Sequence, residues 1–215
     1  MFLSIKNIPK LFWSSAKPLN LKPKISTLFF LCFGLILFGL GEGLLIVSTM
    51  GNSPWTVLAQ GIHLDIGFSI GLITIFISII VLLFWLPLKQ KPGIGTILNA
   101  LIIGLMINLC IKHVSTPGNY IFQLLLAIIA VLMVGLGGAI YLTANLGAGP
   151  RDGLMIGLQK KTNLPIAVVR ASLEITVMSI GWYLGGTVGM GTLLFAFGIG
   201  PAVALGLFIV GRTFN

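Results

Sequence analysis

Six apolar runs, each long enough to cross a lipid bilayer, leave this chain little room for any other fold. A spanning helix needs about 20 predominantly apolar residues. Residues 25–47, 67–88, 93–113, 119–144, 165–185 and 189–211 each meet that length. Proline and glycine punctuate the limits of these runs at Pro92-Gly93, Pro117-Gly118, Pro165 and Gly185-Gly186. Composition points the same way, with 57% hydrophobic residues and only 8% charged, where an average soluble domain carries about 25% charged. Four acidic and thirteen basic residues cannot coat a water-soluble surface. A soluble enzyme, a disordered chain, a secreted disulfide scaffold and a nucleic-acid-binding domain are excluded on that ground. The fold class is an all-α membrane protein with six transmembrane helices.

The net charge of +9 sits in the tail and the short loops, where basic residues set orientation by the positive-inside rule. Residues 1–24 carry Lys6, Lys10, Lys17, Lys22 and Lys24 and read as a basic cytoplasmic tail. Leu11, Phe12 and Trp13 are placed to dip into the membrane interface. With this tail inside, Lys89, Lys91, Arg151, Lys160, Lys161 and Arg212 also fall inside, and Lys112 falls outside. Both termini are therefore expected in the cytoplasm. Cys32 and Cys110 lie within apolar runs, and His63 and His113 stand alone. No metal site and no cofactor are expected.

Sliding the chain by 96 residues without a gap aligns Gly39-Leu40-Gly41 with Gly135-Leu136-Gly137, Gly51 with Gly147, Pro54 with Pro150 and Gly61 with Gly157. Gly93, Gly95 and Thr96 meet Gly189, Gly191 and Thr192, and Gly104 meets Gly200. Roughly twenty of about 87 positions match, dominated by glycine and proline, which shared apolar composition alone would not keep in register. The expected organisation is a first three-span repeat at 25–114 and a second at 119–212. An odd number of spans per copy makes the second copy enter from the opposite side. The two units are then inverted-topology three-helix repeats, an architecture that many secondary transporters share.

A short loop-helix element follows spans 1 and 4. In the first, Ser53 is a plausible N-cap and Pro54 suits the first helical position; in the second, Pro150 opens the helix with Asp152 in its first turn. Each is too short to cross, so it is either interfacial or re-entrant, and a re-entrant helix start favours anions. The stretch Tyr141-Leu142-Thr143-Ala144-Asn145-Leu146-Gly147-Ala148-Gly149-Pro150-Arg151-Asp152-Gly153-Leu154 resembles the signature of the YczE/YyaS/YitT-like bacterial membrane proteins. Gly51 to Leu58, the pair Arg170 and Glu174, and Gly189-Met190-Gly191-Thr192 are similar to other parts of that family's pattern. The resemblance covers about residues 28–212. It implies a multi-pass protein of the bacterial plasma membrane and says little about activity.

Glu42, Arg170 and Glu174 fall inside spans, where an ionisable residue costs about 3 kcal/mol or more and is usually paired. Arg170 and Glu174 are four apart on one helical face and can pair. The pair reads either as an internal lock for the fifth span or as part of a polar pathway. The candidate substrate-binding set is Glu42, Trp55, Asn145, Arg151, Asp152, Arg170 and Glu174. Enzymatic function is not expected, since the chain has no metal-ligand cluster, paired aspartates or nucleophile elbow. A secondary transporter or exporter of a small solute, anionic in one reading, stands beside an accessory membrane protein that stabilises a partner complex. Expected partners are the lipid bilayer and a small-molecule solute, without nucleic acid; a homo-oligomer or a membrane partner stays open.

Overall fold

The computed structural model describes residues 8–214. Among the described residues there are eight α-helices and no strand: α1 Ile25–Val47, α2 Pro54–Ile66, α3 Ile70–Trp85, α4 Ile94–His113, α5 Tyr120–Ala144, α6 Pro150–Thr162, α7 Ile166–Tyr183 and α8 Met190–Thr213. Helices α1, α4, α5, α7 and α8 are each long and apolar enough to cross a bilayer. The second expected span, 67–88, is shorter than the sequence suggests. Only Ile70–Trp85 is helical, about 24 Å at 1.5 Å per residue. It meets α2 at 115°, and the two together make the sixth candidate crossing. Gly67 causes the bend: at φ 74° it closes α2 in the left-handed conformation, its N–H bonded to the His63 carbonyl.

The 96-residue offset recurs in the backbone. Helices α2 and α6 start at Pro54 and Pro150, α3 and α7 at Ile70 and Ile166, and α4 and α8 at Ile94 and Met190. The positive-φ residues fall into pairs at the same offset: Thr49 with Asn145, Gly51 with Gly147, Gly67 with Asn163, and Lys89 with Gly185. Left-handed backbone is costly outside glycine, so its recurrence in both halves marks one chain path used twice.

Helices α1 and α5 pack along each other at the centre, α4 covers α1, and α8 covers α5. Glycine makes the central contact possible. A methyl group at Gly34 would sit 2.8 Å from the Gly137 carbonyl oxygen, and one at Gly41 would sit 2.9 Å from that of Ala130. The short helices cross between halves, α2 packing on α7 and α3 on α6.

The halves part company at their outer helices. Helix α3 packs on α4, whereas α7 leans on α2 and α6 without comparable packing on α8. Gly71 faces the Gly104 carbonyl, and the Gly71 N–H donates to Asn108 Oδ1 at 2.9 Å while Asn108 Nδ2 donates to Ser69 Oγ at 2.9 Å. Their counterparts, 96 residues on, are Ala167, Gly200, Ala204 and Pro165. The polar clamp is absent there, and nothing lies within 4 Å of where a Gly200 side chain would be. At the other edge the substitution runs the opposite way. Trp85 spaces α3 from α6, while its counterpart Gly181 lets α7 come into backbone contact with Val57 and Leu58 of α2.

Residues 1–7 of the expected tail lie outside the described residues. The rest of it packs against protein rather than running free. Trp13 is fully buried, stacked on Phe30 at 4.4 Å and edge-on to Phe214. Thr27 Oγ1 donates to the Trp13 carbonyl at 2.6 Å, and the Ser15 N–H donates to the Ala144 carbonyl. Leu11 is buried as well, and of the three residues expected at the interface only Phe12 is exposed.

Candidate functional site

A cavity of about 270 Å³ lies between the two halves, lined by residues of all eight helices. Its walls are built from counterpart positions. Glu42 and Gly138, Ser53 and Gly149, Trp55 and Arg151, Thr74 and Arg170, Ser78 and Glu174, Asn99 and Phe195, and Ile103 and Ile199 all face it. Helices α2 and α6 begin at this cavity, and neither start has a side-chain cap. First-turn N–H groups that lack helical partners are thereby directed toward it.

Glu42 is the most buried charge, at 1% exposure. The expected cap residue Ser53 does not cap α2 with its side chain. Its Oγ instead donates to Glu42 Oε2 at 2.7 Å, and Thr56 Oγ1 donates to the same oxygen at 2.7 Å. Glu42 Oε1 has no hydrogen-bond partner among the described residues. A buried carboxylate oxygen without a donor is costly unless a proton or a ligand completes it. The second half makes the corresponding tie with the roles exchanged. Asp152, the counterpart of Thr56, supplies the carboxylate from the short helix, and Tyr141 of the long helix donates its hydroxyl to Asp152 Oδ2. Each carboxylate thus binds a long helix to the start of a short one.

Arg151 stands over the ring of Trp55, 5.3 Å from its centroid. These two are counterparts, so the two short helices meet through the same position of each copy. Arg151 lies in the field of Glu42, Asp152 and Glu174 but forms no ion pair within 4 Å among the described residues. Trp55 Nε1 is buried without an acceptor. Arg170 and Glu174 do pair, Nε to Oε1 at 2.8 Å, with side chains 47% and 21% exposed. Their counterparts Thr74 and Ser78 spend their hydroxyls on carbonyls one turn back, at Ile70 and Thr74.

Six of the seven candidate residues, Glu42, Trp55, Arg151, Asp152, Arg170 and Glu174, line this one cavity. Asn145 does not. It closes α5 at φ 52°, and its Nδ2 donates to the Ser15 carbonyl at 2.8 Å, holding the tail. The sequence reading missed Ser53, Thr56, Asn99 and Tyr141. Asn99 lines the cavity through a helix expected to be a plain span. For Thr56, which stands 96 residues from the candidate Asp152, that offset was the available signal.

A family model described as a family of unknown function, DUF6198, matches residues 25–207. An uncharacterized protein of Haemophilus influenzae is 42% identical over 208 residues, covering 97% of this chain and 94% of the relative. The Bacillus subtilis uncharacterized membrane protein YczE is 32% identical over 165 residues, 76% of this chain and 77% of the relative. The uncharacterized protein YyaS of the same organism is 28% identical, over 75% of this chain and 82% of the relative. No solved structure matches. With apolar spanning helices and relatives that include a membrane protein, the chain is a multi-pass membrane protein that belongs to the DUF6198, YczE-like family.

Proposed function

We propose that this chain is a secondary transporter or exporter of the bacterial cell membrane, built from two inverted-topology repeats with both termini cytoplasmic, and that it moves a small anionic solute by alternating access. The observation that carries the reading is the cavity itself: counterpart positions of both halves line it, and it holds Arg151 without an ion pair beside Glu42 with an unsatisfied oxygen. Transporters made of inverted repeats place their sites between the repeats and rock one half against the other. Trp55 and Arg151 form the contact across which such rocking occurs. Arg151 and the starts of α2 and α6 favour a negative group on the solute. Glu42 competes with that group for the positive field of Arg151.

Solute binding in detergent is therefore expected to be tighter in Glu42→Gln than in the unaltered chain. An unchanged affinity in Glu42→Gln would remove Glu42 from the site. For alternating access, Asn99→Cys and Phe195→Cys, counterparts in opposite walls, are labelled from each side with an impermeant thiol reagent in a background without Cys32 and Cys110. Their reactivities should move in opposite senses when a proton gradient is imposed. Reporter fusions at Asn20, Gly118 and Asn215 should read inside, outside and inside. One observation favours the accessory reading. Helix α7 exposes Ser172, Thr176 and Ser179 where α3 has the exposed Phe76, Ile80 and Leu83, a small polar face suited to another helix. Thiol reactivities that no gradient moves, together with a stably co-purifying membrane partner, would establish that reading instead.

A further inference from the structure

We infer that the ligand of this cavity is an amphiphile, an anionic head group on an acyl-type chain, which enters sideways from the bilayer between α7 and α8. The inference rests on the transport reading above and specifies its substrate class. Three observations on different residues carry it. Gly200 on α8 is exposed and lines the cavity, with nothing within 4 Å of its missing side chain. Its counterpart Gly104 is pressed against α3, so the opening exists in one half alone. Arg170, in the second turn of α7, also lines the cavity and leaves its side chain 47% exposed. Only its Nε is engaged, with Glu174, and its two Nη groups carry no hydrogen bond among the described residues.

A half-exposed guanidinium on a spanning helix needs a polar partner, because hydrocarbon offers none. A phosphate or carboxylate head seated between Arg170 and Arg151 supplies one, in the bidentate geometry that guanidinium groups favour. The rest of the cavity suits what is attached to that head. Phe38, Phe195, Ile199 and Val203 give the cavity an apolar lining. About 270 Å³ is at or below the lower end of small-molecule pockets. It holds a head group and the first part of a chain, and the remainder lies in the α7–α8 gap against lipid.

The test measures equilibrium binding of two probes to the purified full chain in nanodiscs, oleoyl lysophosphatidate and the water-soluble glycerol phosphate. Lysophosphatidate should bind the tighter, and Arg151→Met should weaken both probes. Gly200→Phe fills the opening and should weaken lysophosphatidate about tenfold more than it weakens glycerol phosphate; the glycerol phosphate binding that remains also shows the variant folded. Should Gly200→Phe lose both, Val203→Phe on the same wall is read by the same comparison. Equal affinity for the two probes, or no selective loss in either variant, overturns lateral entry and leaves the transport of a soluble anion standing. Binding of neither probe, or binding indifferent to Arg151→Met, overturns this inference and the anion reading together.

Discussion

Helices α3 and α7 start 96 residues apart at matching places in the two halves, yet one is clamped and the other stands apart. Gly71, Ser69 and Asn108 hold α3 to α4 through a close backbone approach and two hydrogen bonds. Ala167, Pro165 and Ala204 cannot do the same for α7. Gly181 meanwhile draws α7 onto α2 where Trp85 keeps α3 off α6. The difference teaches that a handful of side chains decide which neighbour a helix follows when the backbone path is shared. It also places the charged pair Arg170–Glu174 on the helix with the looser grip, and the quiet hydroxyls of Thr74 and Ser78 on the fixed one.

The largest effect that would break this contrast is steric. Leucine at Gly71 meets the Gly104 carbonyl and the Asn108 side chain, whose nearest atoms lie 2.6 Å from the new Cβ. Gly71→Leu should cost about 3 kcal/mol and show as loss of monodisperse protein on gel filtration. Its counterpart Ala167→Leu should stay within about 0.5 kcal/mol of wild type. If both variants fail alike, α7 is as tightly packed as α3.

Next comes the ion pair. Arg170→Ala leaves Glu174 without its partner and should lower stability by about 1–2 kcal/mol, less than for a fully buried pair because Arg170 is 47% exposed. Replacing Arg170 by Gln and Glu174 by Met together should restore part of the melting temperature. Additive behaviour would mean that the two do not interact. The smallest effect sharpens the comparison. Asn108→Ala removes two hydrogen bonds and should cost about 1 kcal/mol. It should also raise hydrogen exchange at the start of α3 toward the level found in α7.

Much of this was legible in the sequence, and the reasons are physical. Proline at the first helical position and glycine at the breaks fix backbone geometry locally, so the starts of α2 and α6 could be read directly. Glu42, Arg170 and Glu174 announced themselves because a charge within an apolar run needs a polar setting. Partnerships across helices were not legible. That Ser53 turns from its cap position to Glu42, and that Tyr141 holds Asp152, depends on how far α1 and α5 carry those side chains before the chain turns back. Asn145 stands in the same signature stretch as Arg151 and Asp152, but its side chain anchors residue 15, a partnership across 130 residues that no local pattern reveals. The loose seating of α7 was written in Ala167 and Ala204, but small apolar residues in a spanning helix carry no sign of what they fail to hold.

The seat of Trp13 has a consequence for biogenesis. Its ring lies between Phe30, at the start of the first spanning helix, and Phe214, which the ribosome adds after all eight helices. Until Phe214 arrives, one side of that indole has no protein wall. The beginning of the chain therefore settles last. A nascent protein that ends anywhere within α8 lacks the Phe214 wall of this seat.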